Sequence, residues 1–134
     1  MFAAGLFLGK HMKILVAEDD DGVREMLADR LTDMGHEVQS AANGQELIKL
    51  ALDSRPDLVI TDMHMPEMTG DSMISMLDMY PPLAGVPVIM VTGAMKSELE
   101  DACIPPEIPI LSKPVDFDKL AAELDKIVKN QGGS

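Results

Sequence analysis

Five short apolar runs alternate along the chain with longer segments in which apolar residues recur every three or four positions. Apart from the second, which is weaker, the runs are continuous, as is typical of strands buried on both faces of a parallel sheet. Each run is predicted to form a strand. The five are Lys13–Ala17, His36–Ala41, Leu58–Thr61, Val86–Val91 and Ile108–Leu111.

The intervening segments have the 3.6-residue periodicity of helices that bury one face. The first predicted helix carries the apolar stripe Val23, Leu27, Leu31 and Met34, is capped by Asp20 or Asp21, and stops at Gly35. The other predicted helices run from Asn43-Gly44 to before Pro56, and over Asp71–Tyr80, Lys96–Ala102 and Asp116–Lys129. A strand followed by a helix, five times over, predicts an α/β fold with a parallel sheet and helices on both faces. Ligands of such sheets bind beyond the carboxyl ends of the strands, so the function is expected there.

The length and net charge of the chain limit the kinds of function that it can be expected to have. The 134 residues correspond to about one domain, and the formal net charge is −12. An acidic chain is not expected to bind nucleic acid or an anionic membrane. The hydrophobic content of 46% argues against disorder. The single cysteine, Cys103, excludes an intramolecular disulfide, fits a reducing compartment and is predicted to be a small apolar filler.

The two ends of the chain are set apart from the predicted domain. Residues Met1–His11 are interpreted as a vector-derived or disordered leader, because the apolar stretch is too short for a membrane span and has no basic residues before it. The domain is expected over residues 12–130, with a tail at 131–134.

Polar side chains that could take part in binding or catalysis follow four of the five runs. Glu18 and Asp19 come after the first, Asp62 after the third, Thr92 after the fourth and Lys113 after the fifth. Carboxylates gathered at one edge suit Mg²⁺ or Mn²⁺. With a hydroxyl and an ammonium beside them, they predict a phosphoryl-transfer site in which Asp62 is the nucleophile. One Mg²⁺ and Lys113 would neutralise the three acids.

Residues 13–130 resemble the receiver domain of bacterial response regulators. Four motifs carry the resemblance, in the family's order and with roughly its spacing: Lys13–Asp19 (KILVAED), Asp57–Gly70 (DLVITDMHMPEMTG), Val88–Thr92 (VIMVT) and Ser112–Pro114 (SKP). The resemblance implies a flavodoxin-like, doubly wound sheet of strand order 2-1-3-4-5. It also implies a cytoplasmic signalling switch, with a histidine kinase or histidine phosphotransfer protein and a downstream protein as partners. Such a switch is not an enzyme, although it can hydrolyse its own acyl phosphate.

The resemblance also assigns roles to single residues. Asp62 matches the phosphoacceptor, Thr92 the switch hydroxyl and Lys113 the site lysine, whose bond to Pro114 is cis in the family. Metal ligation is implied for Asp19 directly, for Glu18 through water, for Asp62, and for the backbone carbonyl of His64.

Several positions depart from the family pattern. Ile110 replaces the switch aromatic, and Glu18 stands where Asp is commoner. The segment Ile104–Pro109 replaces the usual turn, so the fourth helix is predicted to be short or unusual. His64 and Ala94 occupy positions that tune the phosphate lifetime in the family.

Three other functions would use parts of the same pattern. A phosphohydrolase of the haloacid dehalogenase type uses an aspartyl nucleophile too, but needs an acid where His64 stands. A flavin or nucleotide module needs a phosphate-binding loop where the acidic Glu18–Asp21 lies. A receiver that binds its partner without phosphorylation is the third alternative, although every expected site residue is present.

Overall fold

The computed structural model describes residues 11–132. Its five strands form one parallel sheet in the order β2-β1-β3-β4-β5, which confirms the predicted α/β fold and strand order. The strands are β1 (Lys13–Ala17), β2 (Glu37–Ala41), β3 (Leu58–Thr61), β4 (Val88–Thr92) and β5 (Ile110–Ser112). Apart from His11, the predicted leader lies outside the described residues.

A helix follows each strand. The helices are α1 (Asp21–Asp33), α2 (Gly44–Asp53), α3 (Gly70–Met79), α4 (Lys96–Asp101) and α5 (Phe117–Gly132), with a 3₁₀ turn at Pro81–Leu83. Asp20 caps α1 by accepting a hydrogen bond from Val23 N at 2.9 Å, as the sequence predicted. The fourth helix has six residues and buries none of them, which confirms that it is short. The last helix continues to Gly132, into the segment expected to be a tail.

The sheet separates two apolar layers, because successive strand residues point to opposite faces. One layer includes Ile14, Val16, Leu27 and Leu31 of α1, and Leu120 and Leu124 of α5. The other includes Leu15, Ala17, Leu47 of α2, and Met73 and Leu77 of α3. With both faces covered, the polar edge of the sheet is left as the place for chemistry.

Two predicted strand starts were wrong by two residues, and both errors involve proline. Strand β4 begins at Val88 and not at Val86, and β5 begins at Ile110 and not at Ile108. A proline has no N–H to donate to a neighbouring strand. The carbonyls of Pro87 and Pro109 still accept hydrogen bonds, from Val59 N at 3.0 Å and Met90 N at 2.9 Å.

The interpretation of Cys103 as an apolar filler was also wrong, since this residue is exposed. It follows the short helix α4, and the neighbours on either side of it, Ala102 and Ile104, make the contacts with the core instead. Within residues 11–132, no helix has the length and apolar character needed to cross a membrane.

Candidate functional site

The parallel register brings the predicted site residues to one edge of the sheet. Backbone hydrogen bonds continue the ladder just past the strands: Glu18 N donates to Ala41 O at 3.0 Å, Asp62 N to Ala17 O at 3.1 Å, and Lys113 N to Thr92 O at 2.9 Å. The residues that follow β1, β3 and β5 are therefore fixed in position by the sheet itself.

Asp62 lies at the centre of this edge and is 6% exposed. Its Oδ1 accepts a hydrogen bond from Met63 N at 2.6 Å, and its Oδ2 accepts one from Lys113 Nζ at 2.8 Å. Burial alone would raise the pKa of Asp62, but hydrogen bonds from Lys113 and Thr92, the positive charge of Lys113 and the Met63 N–H together lower it. Asp62 is thus a buried carboxylate held in its ionised form.

Glu18 is the second buried acid, and it shares Lys113 with Asp62. Lys113 Nζ lies 2.7 Å from Glu18 Oε1, and Glu18 Oε2 accepts a hydrogen bond from Asp20 N at 3.1 Å. Burial raises the pKa of Glu18 and the negative charge of Asp62 adds to this, against the opposing effects of Lys113 and the Asp20 N–H. Burial would lower the pKa of Lys113, but its two carboxylate partners raise it, so the ammonium stays charged.

The acids form a group that suits a divalent cation. Carboxylate oxygens of Glu18, Asp19 and Asp62 all lie within 4.8 Å of one another, with Asp19 exposed to solvent and the other two buried. Hard oxygen donors such as these are the ligands that Mg²⁺ prefers. The residues present therefore fit the predicted metal, and Lys113 offsets part of their charge.

Thr92 and His64 are two further residues at this edge, and each makes a hydrogen bond there. Thr92 is 2% exposed, and its Oγ1 accepts a hydrogen bond from Ala94 N at 3.1 Å. His64 N lies 3.4 Å from Asp62 Oδ1, whereas the His64 side chain is directed to Glu98.

The Lys113–Pro114 bond is cis, as the resemblance implies. Ile110, at the position of the switch aromatic, is 39% exposed.

Two residues that support the site were missed by the sequence analysis. Arg24 of α1 donates from Nη1 to the Glu18 carbonyl at 2.9 Å. Gly70 begins α3 and donates its N–H to the Met63 carbonyl at 2.8 Å. No periodicity identifies Arg24. Gly70 is the last residue of the motif Asp57–Gly70. A glycine is needed there because its backbone lies so close to the backbone of Asp62 that a Cβ atom would not fit.

This sheet order, with a buried, ionised aspartate beside two further acids and a lysine, defines a class of flavodoxin-like α/β proteins whose chemistry lies at the carboxyl edge. Comparison with known families shows to which family within that class the chain belongs. Residues 14–125 match the response regulator receiver domain, and the chain belongs to this family. Receiver domains act in two-component signalling, where a histidine kinase is the partner.

Individual relatives agree with this assignment. The transcriptional regulatory protein GlrR of Escherichia coli K12 is 33% identical over 119 residues, which cover 87% of this chain and 26% of GlrR. The chain therefore spans about a quarter of the length of that curated relative. The chemotaxis protein CheY4 of Vibrio cholerae superposes with a TM-score of 0.77 at 28% identity, covering 88% of this chain and 99% of that one.

A signal receiver domain of a histidine kinase from Syntrophus aciditrophicus gives a TM-score of 0.77 at 29% identity, covering 89% of this chain and 91% of that one.

Proposed function

We propose that this domain accepts a phosphoryl group on Asp62 from a phosphohistidine of a histidine kinase or histidine phosphotransfer protein. The observation that supports this most directly is the state of Asp62. Its carboxylate is buried yet ionised beside the Lys113 ammonium. A desolvated, charged carboxylate is a competent nucleophile toward phosphorus.

In the transfer step, one carboxylate oxygen of Asp62 forms a bond to phosphorus while the P–N bond of the phosphohistidine breaks. The electron pair of that bond stays with the imidazole nitrogen, and Asp62 becomes a mixed carboxylic–phosphoric anhydride. Lys113 Nζ, 2.8 Å from Asp62 Oδ2 in the resting site, stabilises the negative charge on the phosphoryl oxygens. Thr92 Oγ1 would act as a second donor.

Glu18, Asp19, Asp62 and the His64 carbonyl are the proposed ligands of Mg²⁺ or Mn²⁺. When bound, the cation supplies positive charge that offsets the repulsion between these acids and an incoming phosphoryl group. The close approach of the three carboxylates within 4.8 Å supports this assignment.

The domain is a signalling switch and not an enzyme in the classical sense. Hydrolysis of its own acyl phosphate is the one further reaction proposed for it. Phosphorylation would shift an existing equilibrium between two conformations, and a downstream protein would recognise one of them. The cytoplasmic location predicted from the sequence remains a prediction.

Treatment with acetyl phosphate tests the proposal. The chain is expected to gain the mass of one phosphoryl group only when Mg²⁺ is present. Asp62→Asn should gain none, and Asp78→Asn, a control at the far end of α3, should react like the unaltered chain.

Each alternative predicts a different result. Equal labelling of Asp62→Asn would refute the assignment, and repeated turnover of phosphomonoesters would favour the dehalogenase-type alternative. Mg²⁺ binding without any mass gain would favour a receiver that acts without phosphorylation.

A further inference from the structure

One polar contact at this edge lies outside the carboxylate group and joins two neighbouring loops. His64 Nε2 donates a hydrogen bond to Glu98 Oε2 at 2.8 Å. His64 belongs to the loop after β3, and Glu98 belongs to α4, which follows β4. Among residues 11–132, this pair is the one side-chain hydrogen bond between that loop and α4. We refer to it as the His64–Glu98 clasp.

The first end of the clasp is attached to the reacting carboxylate. Asp62 Oδ1 accepts a hydrogen bond from Met63 N at 2.6 Å and a longer one from His64 N at 3.4 Å. The backbone that carries the His64 side chain is therefore bonded to the carboxylate itself. A change in the bonding or charge of Asp62 acts directly on this backbone.

The second end of the clasp holds a helix that has few other contacts. Glu98 uses its other oxygen, Oε1, to accept a hydrogen bond from Met95 N at 3.2 Å at the start of α4. This helix has six residues, none of them buried, and within it Leu99 packs partly against the core. A helix of this length is not stable by itself, so its position depends on such contacts.

We propose that the His64–Glu98 clasp couples the state of Asp62 to the position of α4, with Glu98 as a positioning residue. The inference rests on the proposed phosphorylation of Asp62. Both partners are about half exposed, and an exposed side-chain contact of this kind changes an equilibrium by a factor of about two to five. That is too little to hold the fold together, but it is enough to bias an element with few contacts. Linkage requires the effect to be reciprocal, so the position of α4 also acts on Asp62.

The single cysteine provides a reporter for this coupling. Cys103 is exposed and lies two residues beyond the end of α4. An environment-sensitive fluorophore attached there reports on α4 when acetyl phosphate and Mg²⁺ are added. The fraction of phosphorylated protein is measured by mass in the same samples, so that reaction and response are separated.

Glu98→Gln is the test variant, because it removes the charge of the clasp but keeps an oxygen that can accept from Met95 N. Glu100→Gln is the control, because Glu100 is an exposed acid of the same helix whose side chain makes no hydrogen bond or ion pair to any residue in the range 11–132. Glu98→Gln is expected to change the extent of phosphorylation by no more than a factor of about two to five, and the mass measurement in the same samples corrects for this change. Its fluorescence change should fall to less than half, whereas Glu100→Gln should keep the full change.

His64→Ala breaks the clasp from the other end and keeps the backbone carbonyl. It should reduce the fluorescence change per phosphorylated molecule, and adding Glu98→Gln to it should cause no further loss. A full fluorescence change in Glu98→Gln would overturn the proposal.

Failure of the proposed function would be seen separately, as the absence of a mass gain in the unaltered chain. In that case the clasp is tested by backbone hydrogen exchange, measured with Mg²⁺ and without acetyl phosphate. Faster exchange of Glu98→Gln in both residues 63–69 and 96–101 would support the clasp. Faster exchange in only one of these segments, or in neither, would overturn it.

Discussion

The loop that carries Asp62 folds back onto the first residue of α3, where only a glycine fits. A Cβ atom at position 70 would lie 2.3 Å from the Asp62 carbonyl oxygen and 3.0 Å from the Met63 Cα. Both are backbone atoms, and unstrained contact needs roughly 3.5 Å, so Gly70→Ala would displace the loop by about 1 Å. Overpacking of this kind costs about 1–3 kcal/mol. Misplacing a reacting group by about 1 Å lowers a rate by about 100-fold.

Gly70→Ala is therefore predicted to lose about 1–3 kcal/mol of unfolding free energy and to react with acetyl phosphate about 100-fold more slowly. Urea unfolding and initial rates measured with Mg²⁺ check both numbers. Gly93→Ala is a matched control from the same edge of the sheet, because a Cβ at position 93 meets nothing within 4 Å. If the two variants were equally stable and equally reactive, the close approach at Gly70 would not be what positions Asp62.

Two further predictions follow from charges. Lys113→Met leaves Glu18 and Asp62 buried without their shared cation. The free energy of unfolding, measured by urea without metal, should therefore fall by about 1–3 kcal/mol, which is less than the loss expected for a fully buried pair. Added Mg²⁺ should restore this stability, and an unchanged stability without metal would contradict the prediction. His36 Nδ1 accepts a hydrogen bond from Met12 N, and burial, with a smaller effect of a nearby histidine, lowers its pKa in the folded state. As the pH falls, the unfolded chain therefore binds a proton at His36 before the folded chain does. The contribution of His36 to the free energy of unfolding is then complete above about pH 6.5 and is lost as the pH falls below that value. His36→Gln should flatten the pH dependence of the urea midpoint in that range, and an unchanged slope would contradict this.

Most of the fold was predictable because its signals are local. Continuous apolar runs located the strands, and the caps at Asp20 and Asn43 begin α1 and α2 at the expected residues. Errors arose where local and tertiary requirements differ. Val86 and Ile108 are apolar like strand residues, yet the prolines that follow them cannot donate to the sheet, and each strand begins two residues later than predicted.

The candidate site was predictable for a different reason. A parallel sheet brings the residues after its strands to one edge, so Glu18, Asp62 and Lys113 could be placed together from their positions in the chain alone. Arg24 on the Glu18 carbonyl and Glu98 on His64 could not be found in this way. Each is an isolated polar residue on a helix, and its partner depends on the three-dimensional path of another loop.

The location of the phosphoryl group tests the central claim most directly. After reaction with acetyl phosphate and Mg²⁺, the mass of the peptide that contains residues 57–70 should increase by one phosphoryl group. The fragmentation of this peptide should assign that group to Asp62. A phosphoryl group on any other residue, or a peptide of unchanged mass, would contradict the account.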